Sequence, residues 1–175
     1  MSNHEDKPSG NPLDQPHLRQ FRDFLNELNS ESERGEVLVA ATVLDDQLRK
    51  AITARLIDQP DVSALVEGFN APLGTFSARI LAAFALGILS EREYRECSTI
   101  RKVRNQFAHS LGVTFETQSV ADLCRNLTYS VKEAEASSVH ARGQFSSAAV
   151  ALILNLVNRA YYVARDRLKH QQWPY

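Results

Sequence analysis

The chain is poor in the features that would tie a protein together covalently or carry it out of solution. It has two cysteines, Cys97 and Cys124, and they form no close-spaced pair. That excludes a disulfide scaffold and a Cys-x-x-Cys redox or zinc motif, and leaves two free core thiols in a reducing compartment as the expectation. An excess of one charge is also missing. Twenty Lys and Arg stand against twenty-one Asp and Glu, giving a net charge of −1 and a pI near 6.5. Domains that grip duplex DNA usually carry a basic surplus to neutralise phosphates, so direct duplex binding is not expected, although a local patch could still meet RNA. Long hydrophobic runs are absent. The longest, Ile80 to Leu89, falls far short of the roughly 20 residues that span a bilayer, and no cationic-then-apolar leader opens the chain. A cytoplasmic protein with no membrane partner is the expectation. The five histidines, at positions 4, 17, 109, 140 and 170, show no metal-ligand spacing. No Ser or Cys sits in a nucleophile elbow, and no paired-glycine phosphate loop is present. Neither a metal nor a cofactor is implied.

What the chain does have is helical periodicity. At 175 residues it is one domain by length, and it can bury enough surface to fold without staples. No internal repeat and no convincing strand interrupts the pattern, so the fold class is all-α, a compact single-domain helical bundle. Residues 1–13 are polar and rich in Pro and Gly and read as a disordered N-terminal tail. The helical domain covers 14–170, and 171–175 form a C-terminal tail. Phe21, Phe24, Leu25 and Leu28 recur at helical spacing. Ser30-x-x-Glu33 offers a capping box for a second helix, whose stripe of Val37, Ala41, Leu44, Leu48, Ala51, Ile52 and Leu56 faces a core. Gln59-Pro60 ends it. A short helix over 61–67, a turn-rich connection over 69–76 and a helix from about 75 to Gly87 follow. Ser90-x-x-Glu93 is a second capping box and opens a helix that runs to His109. Residues 111–115 read as briefly extended, 120–127 as a short helix, and 145–169 as one last helix. Arg165, Arg167 and Lys169 would complement the dipole at its end.

The segment Arg101-Lys-Val-Arg-Asn-Gln-Phe-Ala-His109 stands out, because a buried helix has no structural need for so many polar groups. On a helical wheel Ile100, Val103 and Phe107 define the buried face, while Arg101, Asn105 and His109, each four apart, stack along another. Arg104 lies between that stripe and the core edge. Such a set can do metal-free chemistry on RNA: histidine moves a proton, arginine holds the phosphate, and asparagine positions either. The plain alternative is structural, with Arg104 paired to an acid of a neighbouring helix and His109 at a helix end. Arg104 and His109, five apart, diverge by about 140° on a straight helix. They would meet only across a groove, at a frayed end or through a second subunit. In Asp45-Asp46, the second acid suits helical pairing with Arg49 or Lys50. Asp45 lies nearer the core stripe and is a fair partner for Arg79 or Arg104. One polar site shared by Asp45, Arg79, Arg104 and Asn105 is therefore expected. Ala83-x-x-x-Gly87 followed by Ser90 has the outline of half a helix-turn-helix, but Glu91, Glu93 and Glu96 would then turn three carboxylates toward phosphate.

Arg104-Asn-x-x-x-His109 is the arrangement that marks HEPN domains, many of which cut or bind RNA and often pair as dimers. Longer segments resemble the mannitol operon repressor (MtlR) family. They are Phe24-Leu-Asn-Glu-Leu, Arg34-Gly-Glu-Val-Leu-Val-Ala-Ala, Leu44-Asp45-Asp46, Phe69-Asn-Ala-Pro-Leu-Gly-Thr-Phe-Ser-Ala-Arg79, Leu86-Gly-Ile-Leu-Ser and Ile100 through His109. This resemblance spans about residues 20–170. It implies an all-helical repressor of a mannitol or sugar-alcohol phosphotransferase operon that acts through a protein partner, a transcription or phosphotransferase component. Its marked polar set would be Asp45, Asn70, Arg79, Arg101, Arg104, Asn105 and His109, with no catalytic role. The HEPN resemblance implies instead a metal-independent endoribonuclease or RNA-binding protein, acting as a homodimer with Arg104, Asn105 and His109 as its site.

Overall fold

The computed structural model describes residues 19–130 and 140–174. The N-terminal tail expected over 1–13 lies outside the described residues. Among those residues the elements are all helical: α1 (Arg19–Ser30), α2 (Glu33–Arg55), a 3-10 turn (Pro60–Leu65), α3 (Phe76–Ala85), α4 (Glu91–His109), α5 (Gln118–Arg125), α6 (Ala141–Leu156), α7 (Arg159–Val163) and a closing 3-10 turn (Ala164–Asp166). The chain is a compact all-α bundle.

α2 is the central pillar, and α1, α3, α4, α6 and α7 all pack on it. Its stripe of Val37, Ala40, Leu44, Leu48, Ala51 and Ile52 is fully buried. α4 lies against α2, α3, α5 and α6 and contributes Cys97, Ile100, Val103 and Phe107 to the core. The rings of Phe107, Phe115 and Phe145 run through the interior at centroid spacings of 5.1 and 5.5 Å, joining α4, the loop after it and α6.

The caps show where local sequence decides. Ser90 caps α4 by accepting from the Glu93 N–H, and the Glu93 carboxylate reaches back to the Ser90 N–H, a complete capping box. α2 is capped by Ser32, which accepts from the Gly35 N–H, and not by Ser30, which ends α1. Both serines precede acids, and the tight junction between α1 and α2 decides between them. Residues 110–117 form turns and not a strand, with Gly112 at φ 75°.

The expected last helix over 145–169 is broken. α6 begins earlier, at Ala141, and ends at Leu156; α7 starts after Asn158, which has φ −104° and ψ 5°. The break aims Arg159 back at the bundle, where it donates to the Ile88 carbonyl and the Glu93 carboxylate. Arg167 complements a different helix end from the one expected. Its Nε donates to the Ala54 carbonyl in the last turn of α2, and its guanidinium pairs with Asp58. Residues 141–166 are long enough to cross a membrane and contain an 18-residue window of mean hydropathy 1.3. However, α6 alone, 16 residues or about 24 Å, is shorter than the hydrocarbon core, and its Phe145, Ala148, Ala149, Leu152, Ile153 and Leu156 are core residues.

Candidate functional site

The marked polar residues fall in two places. The first lies where α2, α3 and the 66–75 turn meet. Arg79, buried on α3, donates to Asp45 Oδ2 at 2.7 Å, to the Leu73 carbonyl at 2.9 Å and to the Val66 carbonyl at 2.9 Å. One guanidinium thus holds both limbs of the turn, and Asp45 holds the guanidinium. Asn70 sits at the tip of that turn in the left-handed region, at φ 59°. A turn that leads into a helix can cradle an anion with its backbone amides. The amides of Ala71, Leu73, Gly74 and Ala78 are instead bonded within the turn and its cap, to Gly68, Leu65, Ala71 and Thr75. Asp46 pairs with Arg49 and Lys50, each at 2.7 Å, as its helical spacing suggested.

The second place is the C-terminal half of α4. Arg104 donates to the Asn105 side-chain oxygen at 3.2 Å. Arg101, Lys102 and His109 make no side-chain hydrogen bond or ion pair among the described residues, and His109 is exposed at the helix end. From Cys97 to Ser110 the helix carries cations and no acid. The result is a half-exposed cationic face rather than a closed site. Among the described residues no bond joins it to Asp45 or Arg79. Arg34, near the start of α2, donates to the Phe107 and Ser110 carbonyls at the end of α4. The bonds therefore form two pairs, Asp45–Arg79 and Arg104–Asn105.

Several contacts escape sequence reasoning. Arg34 closes the end of α4. Glu36, 3% exposed on α2, accepts from Arg142 Nε at 2.7 Å and from the Ser146 hydroxyl, tying α2 to α6. Glu96, 2% exposed, accepts the Thr128 N–H at 2.5 Å. Glu93 and Glu96 are therefore interior acids with partners, and of the three carboxylates expected to meet phosphate only Glu91 is exposed. The buried thiols are unreactive by environment: burial, reinforced by Glu93 and Glu96, pushes Cys97 up to about 12, and burial alone does the same to Cys124. Both are free. Groups of three or more His, Cys, Asp or Glu able to hold a metal are absent among the described residues.

No protein-family model matches the chain, and no curated protein matches its sequence. Among solved structures it resembles MtlR from the MtlR–HPr complex of Escherichia coli, with a TM-score of 0.57 and 18% identity. The fold is that of MtlR. The likeness covers 82% of this chain and 97% of the MtlR chain, so the shared architecture is the whole bundle and not one helix pair.

Proposed function

We propose that this chain is a transcriptional repressor of a mannitol or other sugar-alcohol phosphotransferase operon, and that it acts by protein contact and not by gripping duplex DNA. The partner we assign is HPr or a protein of that kind. The observation that carries the reading is the likeness, across nearly all of the other chain, to an MtlR captured in complex with HPr. Two features of this molecule support it. The charge balance of −1 supplies no electrostatic footprint for duplex DNA. Helix α4, the one whose outline suggested a reading helix, commits its Cys97, Ile100, Val103 and Phe107 face to the core of its own bundle.

A tagged pull-down from cells grown with and without mannitol, with bound protein and RNA both identified, tests the assignment. HPr as the captured species supports it. Recovery of RNA alone contradicts it.

One observation favours a second reading. Arg101, Lys102, Arg104 and His109 lie on an acid-free stretch of α4 beside Asn105. That stretch suits a phosphate backbone, and in an RNA-binding or metal-independent endoribonuclease role Arg104 of one subunit would hold the phosphate and His109 of a second would move the proton, since the two diverge by about 140° on one helix.

A further inference from the structure

Phe69 is 97% exposed, yet both limbs of the turn that carries it are hydrogen-bonded. The Leu73 N–H donates to the Leu65 carbonyl at 2.7 Å and the Gly74 N–H to the Ala71 carbonyl at 2.8 Å. Arg79 bonds the carbonyls of Val66 and Leu73 on the two limbs, and Asp45 fixes Arg79 from α2. Gly68 has φ 105°, and Asn70 has φ 59°, a conformation that residues other than glycine adopt at a cost. A part-buried ion pair thus ties down the limbs of a turn whose ring is left in water. Folding gains nothing from placing an aromatic there. Association does, because a pre-ordered aromatic loses little freedom on entering a pocket, and such rings are the usual anchors of interfaces.

Between Arg55 and Arg79 the chain has no Lys or Arg and three acids, of which Asp58 is paired with Arg167 and Glu67 with Arg49. Asp61 is exposed and unpaired among the described residues. Glu67 is paired with Arg49 but still more than half exposed, at 56%. A complementary surface has an apolar pocket with a cationic rim.

We propose that the turn from Leu65 to Leu73 is the docking knob for the protein partner, with Phe69 as its apolar anchor and Asp61 and Glu67 meeting cations around the pocket. This rests on the protein-contact reading above.

The test is surface plasmon resonance on immobilised HPr from the organism that encodes this chain, using the wild type, Phe69→Ala, Asp61→Lys and Leu111→Ala. Leu111 is the control, because it is 95% exposed and lies outside the turn. Phe69→Ala should bind at least about tenfold more weakly, as loss of an interface anchor does, with an unchanged thermal midpoint. Asp61→Lys should slow association and reduce its salt dependence. Leu111→Ala should bind as the wild type. If the wild type binds and Phe69→Ala binds equally well, or if Leu111→Ala loses as much, the knob is wrong while the protein-contact reading stands. If the wild type does not bind HPr, the reading fails and the knob with it. If sedimentation shows that Phe69→Ala breaks a dimer of this chain while HPr binding persists, the ring serves a second copy and the proposal is overturned.

Discussion

Glu93 shows how single residues set the stability of this bundle. Its carboxylate accepts from the Ser90 N–H at 2.8 Å, the Ser90 hydroxyl at 2.9 Å and Arg159 at 2.6 Å, and it is 5% exposed. Burial alone would push its carboxyl up. Arg159 together with the Ser90 amide and hydroxyl outweighs that and holds it below the ordinary glutamate value of 4.5. A carboxyl with a depressed folded value stabilises at pH above 4.5, and the stabilisation is lost as pH falls through the lower, folded value. Glu93→Gln removes the charge and keeps the shape, leaving Arg159 without its ionic partner. Because Arg159 is partly exposed, the loss should sit at the low end for a broken buried pair, about 3 kcal/mol at pH 7. Urea unfolding of both proteins should show that gap narrowing as pH drops below 4.5. A gap that stays constant across that range would show that packing, and not charge, holds the α4–α7 junction.

At the scale of elements, much of the chain was legible from its sequence because local chemistry and periodicity agreed. The α2 stripe, the Ser90–Glu93 box and the end of α4 at His109 needed no tertiary information. The break between α6 and α7 did. Residues 145–169 contain no Gly or Pro, and the turn there goes with tertiary contacts: Arg159 reaches Glu93, 66 positions away, and α7 packs on α2. The candidate site was legible in its residue types and not in its grouping. Asp45 finds Arg79 as anticipated, whereas Arg104 bonds Asn105 beside it, and no wheel of a single helix could show that choice. Phe69 was visible only as part of a motif, since exposure is a property of the assembled fold. The α4 face carries its own prediction. On the protein-contact reading, purified wild type does not cleave RNA, and Arg104→Ala and His109→Ala leave the helical circular dichroism unchanged. Chelator-resistant cleavage that copurifies with the wild type and drops by about 10²–10⁴ in both variants would instead make α4 an acid–base site.

At the scale of the whole molecule, charge sets what the surface can hold. The net charge is −1, and four of the twenty cations are spent on internal ties: Arg34 on the end of α4, Arg79 on the turn, Arg142 on Glu36, and Arg159 on Glu93. Duplex DNA should therefore be held only at the non-specific level, with dissociation constants of about 10⁻⁴–10⁻⁶ M at physiological salt. Gel shifts of the purified chain should show no difference between operator and random duplex, whereas a nanomolar complex that distinguishes them would mean that the protein reads DNA itself. The measurement closest to the central claim is a calorimetric titration of the purified chain with HPr from the same organism. The account predicts saturable binding with a defined stoichiometry. No detectable binding at hundreds of micromolar HPr would contradict it.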